Sequence, residues 1–222
     1  YQLEVLVTPL VSAGYTAFVI NHRAAPTYRY PAALDDAVRA VRFVRHHAAR
    51  FGISADRLGA VGASSGAHLV SMLGVRPPAD VPDATDPVDR LSANVQAVVA
   101  INAPTDLTGS FQSDWAMSAI GAFLGSIRSM DQNSAEWKAY RDASPIAHLS
   151  RDDAPLLLIH GDKDTAIPIE QSERFEAALK QAQVSTALLR VPGADHRLQP
   201  KPPEPDYQAA MVHWLDSHLR AR

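Results

Sequence analysis

Three side chains in this sequence could together cut an ester or amide bond: Ser64, Asp164 and His196. A serine hydroxyl attacks a carbonyl only if a base takes its proton, and imidazole is the side chain suited to that near neutrality. The imidazole in turn needs a carboxylate to hold its tautomer and stabilise its positive form. The chain supplies them in the order Ser, Asp, His, with the first pair 100 positions apart and the second 32. Asp162 competes with Asp164 for the role of acid, although an aspartate in so tight a turn is often a turn former.

Ser64 lies within Gly62-Ala63-Ser64-Ser65-Gly66. An apolar run of strand length precedes it from Leu58, and Ala67-His68-Leu69-Val70-Ser71-Met72-Leu73 reads as a helix. A chain that reverses this sharply forces the serine into strained backbone. Side chains two residues before and two after would collide across the corner, so glycine is expected at Gly62 and Gly66. The backbone N–H of Ser65 then points to where an oxyanion forms, and the helix N-terminus adds favourable potential. A Gly/Ser loop could show the same five residues; the strand before and the helix after favour a nucleophile.

The surrounding pattern must position these groups. Apolar residues at helical spacing predict a helix over the first dozen residues, followed by a buried strand at 15–20. Residues 21–30 form a loop, and Pro31 opens a helix running through Phe51 to a stop at Gly52. Residues 77–91, with four prolines and four aspartates, read as a surface loop. Strands are expected at 95–101, 155–160 and 186–191, with helices at 169–181 and 206–219. Residues 108–150 lack strand patterns and hold two short helices, an insertion placed where a cap over the site would lie. Strands alternating with helices predict an α/β fold with a parallel sheet covered on both faces, and function gathers at the carboxyl ends of such strands.

Bulk properties narrow the classes. The 222 residues fit a single domain over 1–222 with a sizeable core. A net charge of −3 without a basic run gives nucleic acid no electrostatic footprint. With no cysteine, disulfides, thiolate metal sites and a cysteine nucleophile are excluded, while the redox compartment stays open. No stretch is long and apolar enough to span a membrane. The sequence begins with Tyr1 rather than Met, so a processed or partial N-terminus could hide a leader.

Five segments, taken in order, resemble one family. They are Asn21-His22-Arg23-Ala24-Ala25-Pro26, Gly62-Ala63-Ser64-Ser65-Gly66-Ala67-His68-Leu69, Ser144-Pro145-Ile146, His160-Gly161-Asp162-Lys163-Asp164-Thr165-Ala166-Ile167-Pro168, and Pro192-Gly193-Ala194-Asp195-His196. The chain is similar to the esterase branch of the α/β-hydrolases, near the hormone-sensitive-lipase-like and feruloyl or acetyl-xylan esterase groups. The order Ser, Asp, His is the one described for that fold. The resemblance implies Ser64 as nucleophile, His196 as base and Asp164, rather than Asp162, as orienting acid. Ser65 stands where the family usually has Ala, which leaves its N–H free to act. The family's His-Gly-Gly oxyanion loop and first three strands have no counterpart in the 222 residues. A strand missing between 15–20 and the Leu58 strand would leave unpaired backbone in mid-sheet. An N-terminal segment preceding Tyr1 is therefore expected, and direct pairing of 15–20 with 58–61 would overturn that.

Other candidates have plainer readings. Asp195, His196 and Asp106 do not form a metal set at ligand spacing. His68 and His160 read as structural, and His22, where the family has Tyr, as a satisfied buried imidazole. Asp106 caps the segment after it, and His46 and His47 lie on a solvated face. Trp115, Phe123 and Trp137 either line a pocket or form the insertion's own core. The function expected is cleavage of small carboxylic esters through an acyl-enzyme, with no cofactor, no metal, no nucleic-acid partner and no membrane partner. A kynurenine-formamidase-like amide hydrolase and an inactive scaffold are the rivals. Neither oligomeric state nor compartment is legible.

Overall fold

A computed structural model describes residues 3–78, 81–109, 111, 113–198 and 206–220. Four strands form one sheet: β1 (Gly59–Ala63), β2 (Ala97–Ile101), β3 (Leu156–Gly161) and β4 (Thr186–Val191). They lie in the order β1-β2-β3-β4 and every pair is parallel, so each chain crossing must return through a helix. The helices are α1 (Leu3–Ser12), α2 (Ala32–His46), α3 (Ala48–Phe51), α4 (Ser65–Val75), α5 (Asp114–Leu124), α6 (Ala135–Asp142), α7 (Glu170–Gln181) and α8 (Tyr207–Leu219).

Both faces of the sheet are covered, as the unbroken apolar runs of β2 and β3 require. Every residue of these two strands is buried. On one face Val98, Ala100, Leu156 and Leu158 meet Phe175 and Leu179 of α7 and Ala67 and Val70 of α4. On the other, Val99, Ile101 and Ile159 meet Met211, Leu215 and Leu219 of α8. This sandwich fixes the strand ends, and the reactive residues sit on the loops that leave them.

Three stretches of secondary structure differ from the sequence expectations. The helix expected from Pro31 to Phe51 is two, α2 and α3, separated at His47. The loop at 77–91 contains a short 3-10 turn at Pro87–Arg90, capped by the carboxylate of Asp86, which accepts from the N–H of Val88. Residues 15–20 have strand composition but, among the described residues, no ladder partner, and Phe18, Val19 and Ile20 are 39%, 57% and 40% exposed. β-branched and aromatic side chains favour a pleated surface only when a neighbouring strand completes it. Among the described residues β1 pairs with β2 alone, and it does not pair with 15–20.

The insertion at 108–150 is built of α5, α6 and a 3-10 turn at Pro145–Ala147. Its core joins Leu107, Ile120, Tyr140 and Ile167. Ser144 ties it to the loop that leaves β2: its hydroxyl donates to the carbonyl of Tyr140 at 2.7 Å and accepts from the N–H of Leu107 at 2.8 Å.

Candidate active site

Ser64 leaves β1 at φ 54°, ψ −119°, a conformation that an L-residue occupies only at a cost of about 1–3 kcal/mol. Two backbone bonds hold it there. Its N–H donates to Ile101 O at 2.8 Å, and its carbonyl accepts from the N–H of His68 at 3.0 Å. The reason for the two glycines is asymmetric. A Cβ on Gly62 would sit 2.3 Å from the carbonyl oxygen of Gly66, so no side chain fits, whereas a Cβ on Gly66 would meet nothing within 4 Å. The collision expected of both residues applies to Gly62 only, because α4 has already turned Gly66 outward.

His196 meets both partners. Its Nε2 lies 2.9 Å from Ser64 Oγ and its Nδ1 lies 2.7 Å from Asp164 Oδ2. An ionised carboxylate can only accept, so the network places the proton on Nδ1 and leaves the Nε2 lone pair facing the serine hydroxyl. Asp164, not Asp162, makes this contact. Asp162 instead accepts from the N–H of Gly193 at 2.7 Å, tying the turn after β3 to the loop that carries His196.

The carboxylate of Asp164 is saturated with donors. Oδ1 accepts from the N–H groups of Ala166 and Ile167 at 2.8 and 2.9 Å. Burial pushes this carboxyl's pKa up, but His160 Nε2 3.5 Å away and the hydrogen bonds from His196 and Ile167 outweigh it and hold the group well below the usual carboxylate range. The result is an acid that stays ionised behind the imidazole. At Ser65 the first turn of α4 begins, and N–H groups at a helix start have no acceptor within the helix.

Sequence reasoning passed over Asn102. It is fully buried at the end of β2 with φ 50°. Its amide N–H donates to His196 O at 2.8 Å while its side-chain oxygen accepts from the N–H of Gly161 at 3.0 Å. It thus links the loop of His196 to the strand that precedes Asp164. The available signal was an asparagine directly after an apolar strand, since asparagine tolerates the left-handed conformation. Close backbone approach completes the link: a Cβ on Gly161 would fall 2.4 Å from Ala194 O.

Ser64 and Ser65 open into a cavity of about 250 Å³. Its walls include His68, Leu69, Leu107 and Ile167, with Trp115, Ala116, Ala119, Ile120 and Phe123 from a single face of α5. Trp115 and Phe123 therefore line the cavity, whereas Trp137 is not among its walls and lies beneath the Arg141 guanidinium at 5.8 Å. A larger groove of about 840 Å³ runs between residues 18–28 and α2, but it contains none of Ser64, Asp164 or His196. His22 lines both depressions and is exposed, with Nδ1 3.0 Å from Arg23 O. The buried imidazole expected there is thus corrected: a ring with two polar nitrogens has settled at a rim open to water.

The remaining candidates fall as follows. His68 is buried, and its Nε2 lies 2.7 Å from Ala143 O, joining α4 to the end of α6; burial lowers its pKa. Asp106 accepts from the N–H and hydroxyl of Thr108, a local cap. His46 and His47 pack edge to face on each other, 4.7 Å between centroids. Among the described residues no three His, Asp or Glu side chains are grouped to hold a metal, and no helix is long and apolar enough to cross a membrane.

The chain is similar to known proteins in fold and in sequence. The chain superposes on a truncated carbohydrate esterase from gut microbiota with TM-score 0.81 and 25% identity, over 96% of this chain and 77% of that one. An acetyl ester-xyloside bifunctional hydrolase from Caldicellulosiruptor lactoaceticus matches at TM-score 0.81 and 27% identity, over 95% and 74%. In sequence it is 29% identical to esterase LipC of Mycobacterium tuberculosis over 86% of this chain and 47% of LipC. It is 30% identical to esterase LipQ of the same organism over 88% of this chain and 45% of LipQ. The chain therefore spans about half the length of the curated relatives it matches. The architecture, a parallel sheet with helices on both faces and the sharp serine corner after β1, is that of the α/β-hydrolase fold. The BD-FAE family pattern matches residues 2–179, a stretch holding both Ser64 and Asp164, and on that match the chain belongs to the BD-FAE family.

Proposed function

We propose that the protein is a serine hydrolase of carboxylic esters with short acyl chains, acting through an acyl-enzyme. The observation that carries this reading is the unbroken chain of contacts from Ser64 Oγ through His196 to Asp164, at 2.9 and 2.7 Å. Ser64 Oγ attacks the carbonyl carbon as His196 Nε2 takes its proton, and the N–H of Ser65 receives the developing oxyanion. Collapse expels the alcohol, which leaves with the proton from His196. Water then repeats the sequence on the acyl-enzyme, His196 acting as base, and releases the carboxylic acid with Ser64 restored. Asp164 holds the imidazole in register and stabilises its charged form throughout.

A single domain over 1–222 serves this reading, with the insertion at 108–150 as the roof of the cavity. The substrate class follows from size and lining: 250 Å³ is below the roughly 300 Å³ at which pockets begin to enclose drug-sized ligands. Among relatives matched over most of this chain, the names carbohydrate esterase, acetyl ester-xyloside hydrolase and esterase LipC support an ester in preference to an amide; a peptidase and the acylamino-acid-releasing enzymes match over less than half of it.

A fluorophosphonate probe tests the nucleophile. Wild-type protein should label at one site, and Ser64→Ala and His196→Ala should not. Hydrolysis of a panel of aryl esters beside the matching anilides and formamides then sets the reaction class. Labelling that survives Ser64→Ala removes the proposal, and faster turnover of the formamides replaces it with the amide-hydrolase reading.

A further inference from the structure

A second imidazole stands behind Asp164, and this one is sealed from water. His160, in β3, is wholly buried, as is Ser172 on α7. Two acceptors face His160 Nε2: the carbonyl oxygen of Ile167 at 2.9 Å and Asp164 Oδ2 at 3.5 Å. Neither can donate, so Nε2 carries a proton. Nδ1 lies 2.7 Å from Ser172 Oγ, and in the neutral ring it accepts the hydroxyl proton.

We propose that His160 and Ser172 position the acid of the catalytic set, an inference that rests on Ser64, His196 and Asp164 acting as described. One ring controls both oxygens of that acid. Through the Ile167 carbonyl it anchors the turn whose N–H groups, at Ala166 and Ile167, clasp Oδ1. The same N–H, bonded to the Ile167 carbonyl, also places partial positive charge near Oδ2, the oxygen that His196 uses, with Nε2 3.5 Å from it. Ser172 locks the tautomer by occupying Nδ1, which keeps the proton on the side of Asp164. The residue is thus more than the core histidine its place in a buried strand suggests.

This arrangement has an electrostatic consequence that simple packing lacks. A carboxylate already receiving an N–H dipole is a weaker acceptor for His196; without that dipole it holds the imidazolium more tightly. The acid limb of the activity profile should then move to higher pH.

Three variants test this: His160→Leu, His160→Gln and Ser172→Ala. Each is assayed for kcat and KM on a short-chain aryl ester across about pH 5 to 9, with activity expressed per fluorophosphonate-labelled site. His160→Leu should lower kcat about 100-fold with KM within about 2-fold, the mark of a group that acts on the transition state rather than on binding. His160→Gln keeps an amide N–H at nearly the same reach and should return to within about 5-fold of wild type. Ser172→Ala should lose about 5-fold in kcat, and its acid limb, like that of His160→Leu, should rise by about 0.5 pH unit. If His160→Leu does not fold, the Ser172→Ala limb decides alone. Wild-type kcat per site and an unmoved acid limb in Ser172→Ala overturn the inference, as does equal loss in the Leu and Gln variants. Wild-type protein that neither labels nor turns over overturns the hydrolase reading first and takes this inference with it.

Discussion

At Asp164 the chemistry and the stability of the protein meet in one carboxylate. Asp164→Asn keeps the shape but offers the imidazole an amide able to present its own N–H, so the tautomer needed at His196 is lost. The expected fall in kcat is about 10⁴-fold, with labelling slowed in proportion. The same group predicts a pH dependence of folding. Its native pKa is depressed below the unfolded value of about 3.9, so the stability it contributes is complete above that value. As pH falls from there toward the native pKa, the unfolded chain takes up the proton first and the contribution drains away. Denaturant midpoints between about pH 6 and pH 3 should therefore fall less steeply for Asp164→Asn than for wild type; parallel curves would count against the depressed pKa. Ser64, Asp164 and His196 could be read from the sequence because their chemistry admits few residue types and their order is informative. Asn102 and His160 could not, because what they grip is largely backbone, the carbonyls of His196 and Ile167 and the N–H of Gly161, which leaves no side-chain pattern along the chain.

The elbow between β1 and α4 shows what an element adds to its residues. Gly62 is required by the 2.3 Å approach of Gly66 O, and Gly66 is not required by any neighbour. Gly62→Ala should therefore displace Ser64 and abolish probe labelling, with a large loss in thermal midpoint. Gly66→Ala should fold as well as wild type or better, by about 0.5–1 kcal/mol, since alanine within a helix loses less conformational freedom than glycine. Thermal melts and labelling of the two variants side by side check the asymmetry. The motif announced the corner, but the sequence has no record of which glycine the turn of α4 would leave facing open space. The same limit explains residues 15–20. Their composition records a preference for pleated, half-buried surroundings, and a preference becomes a strand only where a partner backbone lies alongside.

On the scale of the whole molecule, the insertion walls the cavity onto which Ser64 opens, and under the proposed function it would select among substrates. Trp115, Ala116, Ala119, Ile120 and Phe123 recur at the i, i+1, i+4, i+5 and i+8 spacing of one helical face, so a single helix, α5, forms a wall of the cavity over Ser64. Sequence alone left the aromatic residues of this segment divided between pocket and private core, because either arrangement buries them equally well. In the fold Trp115, 64% exposed, and Phe123 line the cavity, Phe123 also packs against the insertion's core around Tyr140, and Trp137 is not a cavity wall. Acyl-chain preference should then respond to α5 without any change at the triad. Ala119→Phe narrows the mouth, where Ala119 is itself exposed, and should shift the optimum of an acyl-length series toward acetyl. Ile120→Ala removes a buried wall and should move it toward longer chains, at a stability cost of about 2–5 kcal/mol. Each methylene gained or lost in an apolar pocket is worth about 1–3 kcal/mol, so kcat/KM ratios between neighbouring chain lengths should change by about 10-fold or more. An acyl series at constant alcohol, repeated as an alcohol series at constant acyl group, distinguishes the two halves of the ester. Shifts confined to the acyl series place the acyl chain under α5, while shifts confined to the alcohol series reverse the orientation of the bound ester and leave the cavity to the leaving group.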